Sequence, residues 1–162
     1  MKHYTLLLLF LMLQACAEQK AEAAEAETTK EIEKTAKEIK AALTEKGFEV
    51  FDYVDETTKD TLLMQKYFIA FLKKGPNRTG TKEQIDSLQI LHLEHLTRMY
   101  LEGYADISGP FGEDGEIRGI TIYNTPTLQF ADSLANMDPM VKSGRLVIEM
   151  HSWWAGKGFP LR

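Results

Sequence analysis

The sequence predicts an α+β domain whose core elements run strand, helix, strand, strand, helix, strand. This is the ferredoxin-like order, an antiparallel sheet with helices on one face, and an extra hairpin strand precedes it. Three observations predict it. The apolar period switches between two and about 3.6 residues along the chain. Glycine or proline stands at nearly every switch. The stretch 47–162 is long enough for one core and too short for two comfortable ones.

The elements follow in order. "GFEVFDYVDE" alternates Phe48 and Val50 and, after a shift, Tyr53 with charged neighbours, as a partly exposed strand does. "TTKD" supplies a turn, and "TLLMQKYFIAFLKKGPN" returns as a strand. Tyr67, Ile69 and Phe71 fall on one of its faces and Phe68, Ala70 and Leu72 on the other, so both faces need cover. From Thr81 to Glu102 the period is helical, with Thr81 as N-cap, Gln84 completing a capping box and Gly103 as the stop. Ile85, Leu88, His92, Leu96 and Met99 form its inner stripe, and His95 lies on the flank beside Leu91. "YADISGPF" and "EIRGITIYNT" read as paired strands joined at "GEDG", where Asp114-Gly115 is a two-residue hairpin signal. "PTLQFADSLANM" reads as a second amphipathic helix with Leu128, Ala131, Leu134 and Ala135 inward. "DPMVKSG" reads as a loop, and "RLVIEMHSWW" as the closing strand.

The N-terminus predicts export. Lys2 and His3 precede an apolar run, Leu6–Leu13, that is too short to span a bilayer, so residues 1–15 read as a signal peptide. "LQAC" resembles a bacterial lipobox that ends on Cys16, the only cysteine in the chain, which would carry the lipid. The expected location is the bacterial cell envelope with a lipid anchor on the membrane. The alternative is cleavage after Ala17 and a soluble periplasmic or secreted chain. Residues 16–46 are rich in Ala, Glu and Lys, contain no aromatic residue and read as a solvated tether. Ile32, Ala36, Ile39 and Leu43 allow a short amphipathic helix near its end. The net charge of −5 and the lack of a basic patch with interleaved aromatics argue against nucleic acid as a partner.

His92 is the leading candidate for chemistry. In the middle of an apolar stripe, desolvation disfavours a charged imidazole, and a neutral ring held by a carboxylate is a competent general base. The bland alternative is a core histidine that donates to a backbone carbonyl. His92 and His95 with Glu149 and His151 are too few and too scattered to predict a metal site. Nothing in the motifs asks for a cofactor. "GEDG" lacks the ligand periodicity of a calcium loop, and Ser108 lacks the setting of a hydrolase nucleophile. Tyr67, Phe71, His95, Ser108 and Phe111 are candidates to line a pocket, although aromatics at strand spacing also serve as core. Trp153-Trp154 is placed at a barrel mouth or a subunit seam.

"HLEHLTRMYLEG", "SGPFGEDGEIRG" and "MDPMVKSGRL" together resemble the YCII-related proteins of the dimeric α+β barrel superfamily. The matching positions are His92, Leu93, Leu96, Gly103, Gly109-Pro110, Asp138-Pro139 and Gly144, over about Lys66–Trp154. His95 and "EMHSWW" depart from the pattern. The apolar face of the first core strand that the helices leave uncovered predicts a homodimer with sheets face to face. The resemblance implies an active site that includes His92 and Asp138. It is compatible with a lyase or isomerase-like activity on a small cyclic compound. The alternative is a non-catalytic ligand-binding or structural lipoprotein, because one fold hosts many functions.

Overall fold

In the computed structural model, residues 37–159 are described. The signal segment, Cys16, Ile32 and Ala36 lie outside them. The chain divides into two units, Met1–Ala42 and Leu43–Arg162. Residues 37–45 are helical (α1). The second unit begins at Leu43. The N–H groups of Gly47 and Phe48 donate back to the carbonyls of Thr44 and Leu43, which ties the last helical turn to the strand that follows. Among the described residues, no helix is long and apolar enough to cross a membrane.

The second unit is the βαββαβ arrangement with a leading hairpin strand. Its elements are β1 (Val50–Val54), β2 (Thr61–Lys74), α2 (Lys82–Leu101), β3 (Ala105–Pro110), β4 (Ile117–Tyr123), α3 (Leu128–Ala135), α4 (Pro139–Lys142) and β5 (Leu146–Gly156). All pairings are antiparallel, in the lateral order β5, β2, β4, β3. The strand β1 pairs with the first five residues of β2, on the side that β4 takes further along. Strand parity then sorts the residues. Phe68, Ala70 and Leu72 of β2, Tyr123 of β4 and Leu146 of β5 face the helices. They form one core with Met99 of α2, Ala131, Leu134 and Ala135 of α3, and Met140 of α4. Each large side chain buried there contributes about 1.5–3 kcal/mol.

The opposite sheet face carries Tyr67, Ile69, Phe71, Ile107, Ile122, Val147 and Trp153. Only Tyr67 among these is buried; Val147 and Trp153 are 40% and 42% exposed. Within the described residues this apolar face has no helix over it.

The helix termini follow local chemistry. The Thr81 hydroxyl accepts from Gln84 N while the Gln84 side chain accepts from Thr81 N, a complete capping box. At the other end Tyr104 N donates to Met99 O and Gly103 N to Tyr100 O, a Schellman motif that needs the left-handed φ of +75° at Gly103.

Three local expectations change. "DPMVKSG" is not a loop, because Asp138 caps a four-residue helix with Pro139 at its start. The β3–β4 connection is a six-residue loop, 111–116, instead of a two-residue turn. Gly115 does not take a positive φ, and the Arg118 guanidinium holds Asp114 and the Gly115 carbonyl. Leu128, in the first turn of α3, is exposed, and the buried stripe is Ala131, Leu134 and Ala135.

Candidate active site

The inner stripe of α2 is Leu88, His92, His95 and Met99, a spacing of four, three and four. His92 is 9% exposed and His95 only 3%. The placement of His95 on an outer flank is therefore corrected. Leu91, its neighbour on that flank, is 47% exposed, and the buried stripe runs through His95 instead.

The short helix α4 brings the second half of the site. It packs against α2 and β5. Asp138, 2% exposed, is its N-cap, and its carboxylate does two jobs. Oδ1 accepts from Met140 N at 2.8 Å, and Oδ2 meets His92 Nδ1 at 2.6 Å. A carboxylate that accepts there places the ring proton on Nδ1. The Nε2 of His92 has no hydrogen-bond partner among the described residues. The helix ends four residues later in a second Schellman motif, where Gly144 takes a φ of +74° and Arg145 N donates to Met140 O. A Cβ at Gly75 would lie 2.2 Å from the Gly144 carbonyl oxygen, so the chain after β2 passes close against this turn only because residue 75 is glycine. One helical turn thus delivers Asp138 at its start and Arg145 just past its end.

His92 lines a cavity of about 470 Å³ between α2, the β3–β4 hairpin and the start of β5. That volume suits a small organic molecule. Ile85, Leu93 and Leu96 of α2, with Met140 and Leu146, supply apolar wall. The polar wall is His92, Gln89, Ser108 and three arginines, Arg78, Arg118 and Arg145. No Asp or Glu lines it; Asp138 reaches His92 from outside the lining.

Of the candidate pocket residues, only Ser108 belongs to this cavity, with its hydroxyl 3.0 Å from that of Thr121. Tyr67 and Phe71 lie on the opposite sheet face, because their odd positions in β2 point away from the helices. Tyr67 hydrogen-bonds Gln65 and Lys157 there, and burial, with the charge of Asp106 second, pushes its pKa up to about 12. Phe111 is 38% exposed beyond the end of β3. His95 is enclosed in the core. Arg98 donates to its Nδ1 at 3.1 Å, which leaves Nε2–H buried without a partner. Burial holds the His95 pKa below the usual imidazole value; the Asp138 charge opposes this, and Arg98, His92 and Lys142 reinforce it.

Glu149 and His151 pair at 2.8 Å on the open sheet face, away from His92. Among the described residues no three His, Cys, Asp or Glu side chains converge on one point. Trp153 lies tilted beside Tyr67, with ring centroids 6.3 Å apart, and Trp154 meets Phe51 edge-on, each pair on a different sheet face. The arginines were missed from sequence. The available signal was a charged residue inside or at the opening of an otherwise apolar strand, as at Arg118 and Arg145.

No protein-family model matches the chain, nor does any curated protein. Among solved structures, the chain is similar to 5-chloro-2-hydroxyhydroquinone dehydrochlorinase from Burkholderia phenoliruptrix AC1100, in complex with 2,5-dihydroxybenzoquinone. The identity is 19% over 54% of this chain and 92% of that chain, with a TM-score of 0.42.

Proposed function

We propose that the cavity beside His92 is the substrate site of a small-molecule enzyme of the lyase or isomerase type. The observation that carries this reading is the 2.6 Å contact between His92 Nδ1 and Asp138 Oδ2 at the cavity wall. Asp138 holds the proton on Nδ1, so Nε2 presents its lone pair. Nε2 then takes a proton from a carbon or hydroxyl of the substrate. Returning it at another position completes an isomerisation, and loss of a leaving group completes an elimination. The resemblance of "HLEHLTRMYLEG" and "MDPMVKSGRL" to YCII-related proteins supports the same pair of residues.

Incubation of the full chain in D₂O with a panel of cyclic ketones and hydroxylated ring compounds should yield deuterium incorporation, read by mass spectrometry. His92→Gln should slow it by about 10²–10⁴-fold. Equal exchange by a folded His92→Gln variant would sink the reading. Saturable binding with no exchange by any compound would make the chain a binding protein instead.

A second copy of this chain is the proposed cover for the open sheet face. The support is its row of Ile69, Phe71, Ile107, Ile122 and Val147, which water otherwise meets. Sedimentation equilibrium should give twice the chain mass of 18.4 kDa. Val147→Glu should raise the dissociation constant at least about tenfold by burying an unpaired charge in the seam. A chain that stays monomeric at high concentration rules the dimer out.

A further inference from the structure

The cavity is a basic spot on an acidic protein. The chain carries a net charge of −5, yet three arginines and no carboxylate line this one space. They are not equivalent. Arg118 already holds Asp114. Arg78 is exposed and donates to the Arg145 carbonyl at 3.1 Å. Arg145 is 7% exposed, and among the described residues the one acceptor for its guanidinium is the Thr79 carbonyl, 2.9 Å from Nη1. No Asp or Glu pairs with Arg78 or Arg145 among the described residues.

A guanidinium keeps its charge at any working pH and offers five N–H donors in a flat fork. Burying it with one neutral acceptor is costly unless an anion completes the set. The fork geometry matches a carboxylate, and the neighbouring wall of Leu93, Leu96 and Met140 matches an apolar body. We infer that the cavity beside His92 takes a small organic carboxylate, with its anionic head on the buried Arg145 and the nearby Arg78 and its apolar body against α2 and α4. This deepens the reading of the cavity as a substrate site and rests on it. It adds the substrate class: the molecule on which His92 acts carries a carboxylate.

The test uses three probes on the ¹⁵N-labelled full chain: benzoate, its neutral isostere benzamide, and inorganic phosphate as a head without a body. Benzoate should bind saturably and shift the Arg145 Nε and backbone signals. Benzamide should bind at least about tenfold more weakly, since a charge-assisted fork is lost. Phosphate should also bind more weakly than benzoate. Arg145→Gln should weaken benzoate at least about tenfold, and Arg145→Lys should recover only part, because an ammonium cannot present two parallel donors. Arg145 also anchors Thr79, so the exposed Arg78→Gln variant and the wild-type comparison of benzoate with benzamide stand if Arg145→Gln does not fold. Benzamide binding as tightly as benzoate overturns the proposal, and so does phosphate binding more tightly. Benzoate affinity unchanged in folded Arg145→Gln overturns it as well.

The two readings fail separately. His92→Gln should keep benzoate binding while losing proton exchange. Proton exchange on neutral ring ketones without any benzoate effect would leave the acid–base pair standing and remove the carboxylate.

Discussion

Asp138→Asn is expected to leave the chain folded and to remove its proton-transfer activity. Asparagine keeps a side-chain oxygen for Met140 N, so the cap on α4 survives. Its amide group, however, presents N–H where Oδ2 now faces His92 Nδ1. To accept that bond, Nδ1 must give up its proton, which moves to Nε2. The atom that should take a proton then already carries one. Deuterium exchange should fall about 10²–10⁴-fold, with a stability loss of no more than about 1 kcal/mol.

Asp138→Ala should behave differently. It removes the cap and leaves the His92 N–H buried and unpaired, at a combined cost of about 2–4 kcal/mol. Urea midpoints for the two variants, measured beside exchange rates, separate a positioning role from a purely structural one. Activity that survives in Asp138→Asn would end the tautomer argument.

His95→Leu is expected to stabilise the fold by about 1–2 kcal/mol. The buried Nε2–H of His95 meets no acceptor, and an unmade buried hydrogen bond costs about that much. Leucine fills a similar volume on the same helix face, and Arg98, at the surface, can turn to water. The gain should depend on pH. Burial lowers the His95 pKa in the folded chain, so the unfolded chain binds the proton more readily. Stability linked to the neutral ring is therefore fully present above the ordinary imidazole value of about 6.5 and is lost as pH falls below it. Wild type should lose stability between pH 7 and pH 5, and His95→Leu should lose less, which widens the gain at the acid end. A variant less stable than wild type at both pH values would show that Nε2 does have a partner.

Much of the fold was legible because its signals are local. The capping box at Thr81 and Gln84, the glycine stop at Gly103 and the alternation through β2 each span a few residues. Short-range sterics and hydrogen bonding favour them whatever they later pack against. The four-residue α4 was not legible, because a single turn shows no hydrophobic period; Asp138 and Pro139 were its only marks. His95 was misplaced for a related reason. His95 lies at the edge of the stripe that runs through Leu88, His92 and Leu96, and only the neighbouring elements show which way that stripe is turned.

The sequence by itself determined the order of the core strands and the two longer helices, the odd and even faces of β2, and His92 as a histidine in the middle of a buried stripe. Those follow from the fixed periods of strand and helix. The tertiary structure decided what the stripe meets. His92 and Asp138 are 46 positions apart, and Arg78 meets Arg145 across 67. Such pairs form only when β5 returns along β2 and α4 packs onto α2. The cavity and its unpaired guanidinium exist only after that closure. Its charge depends on which side chains share a wall, and no spacing along the chain encodes that.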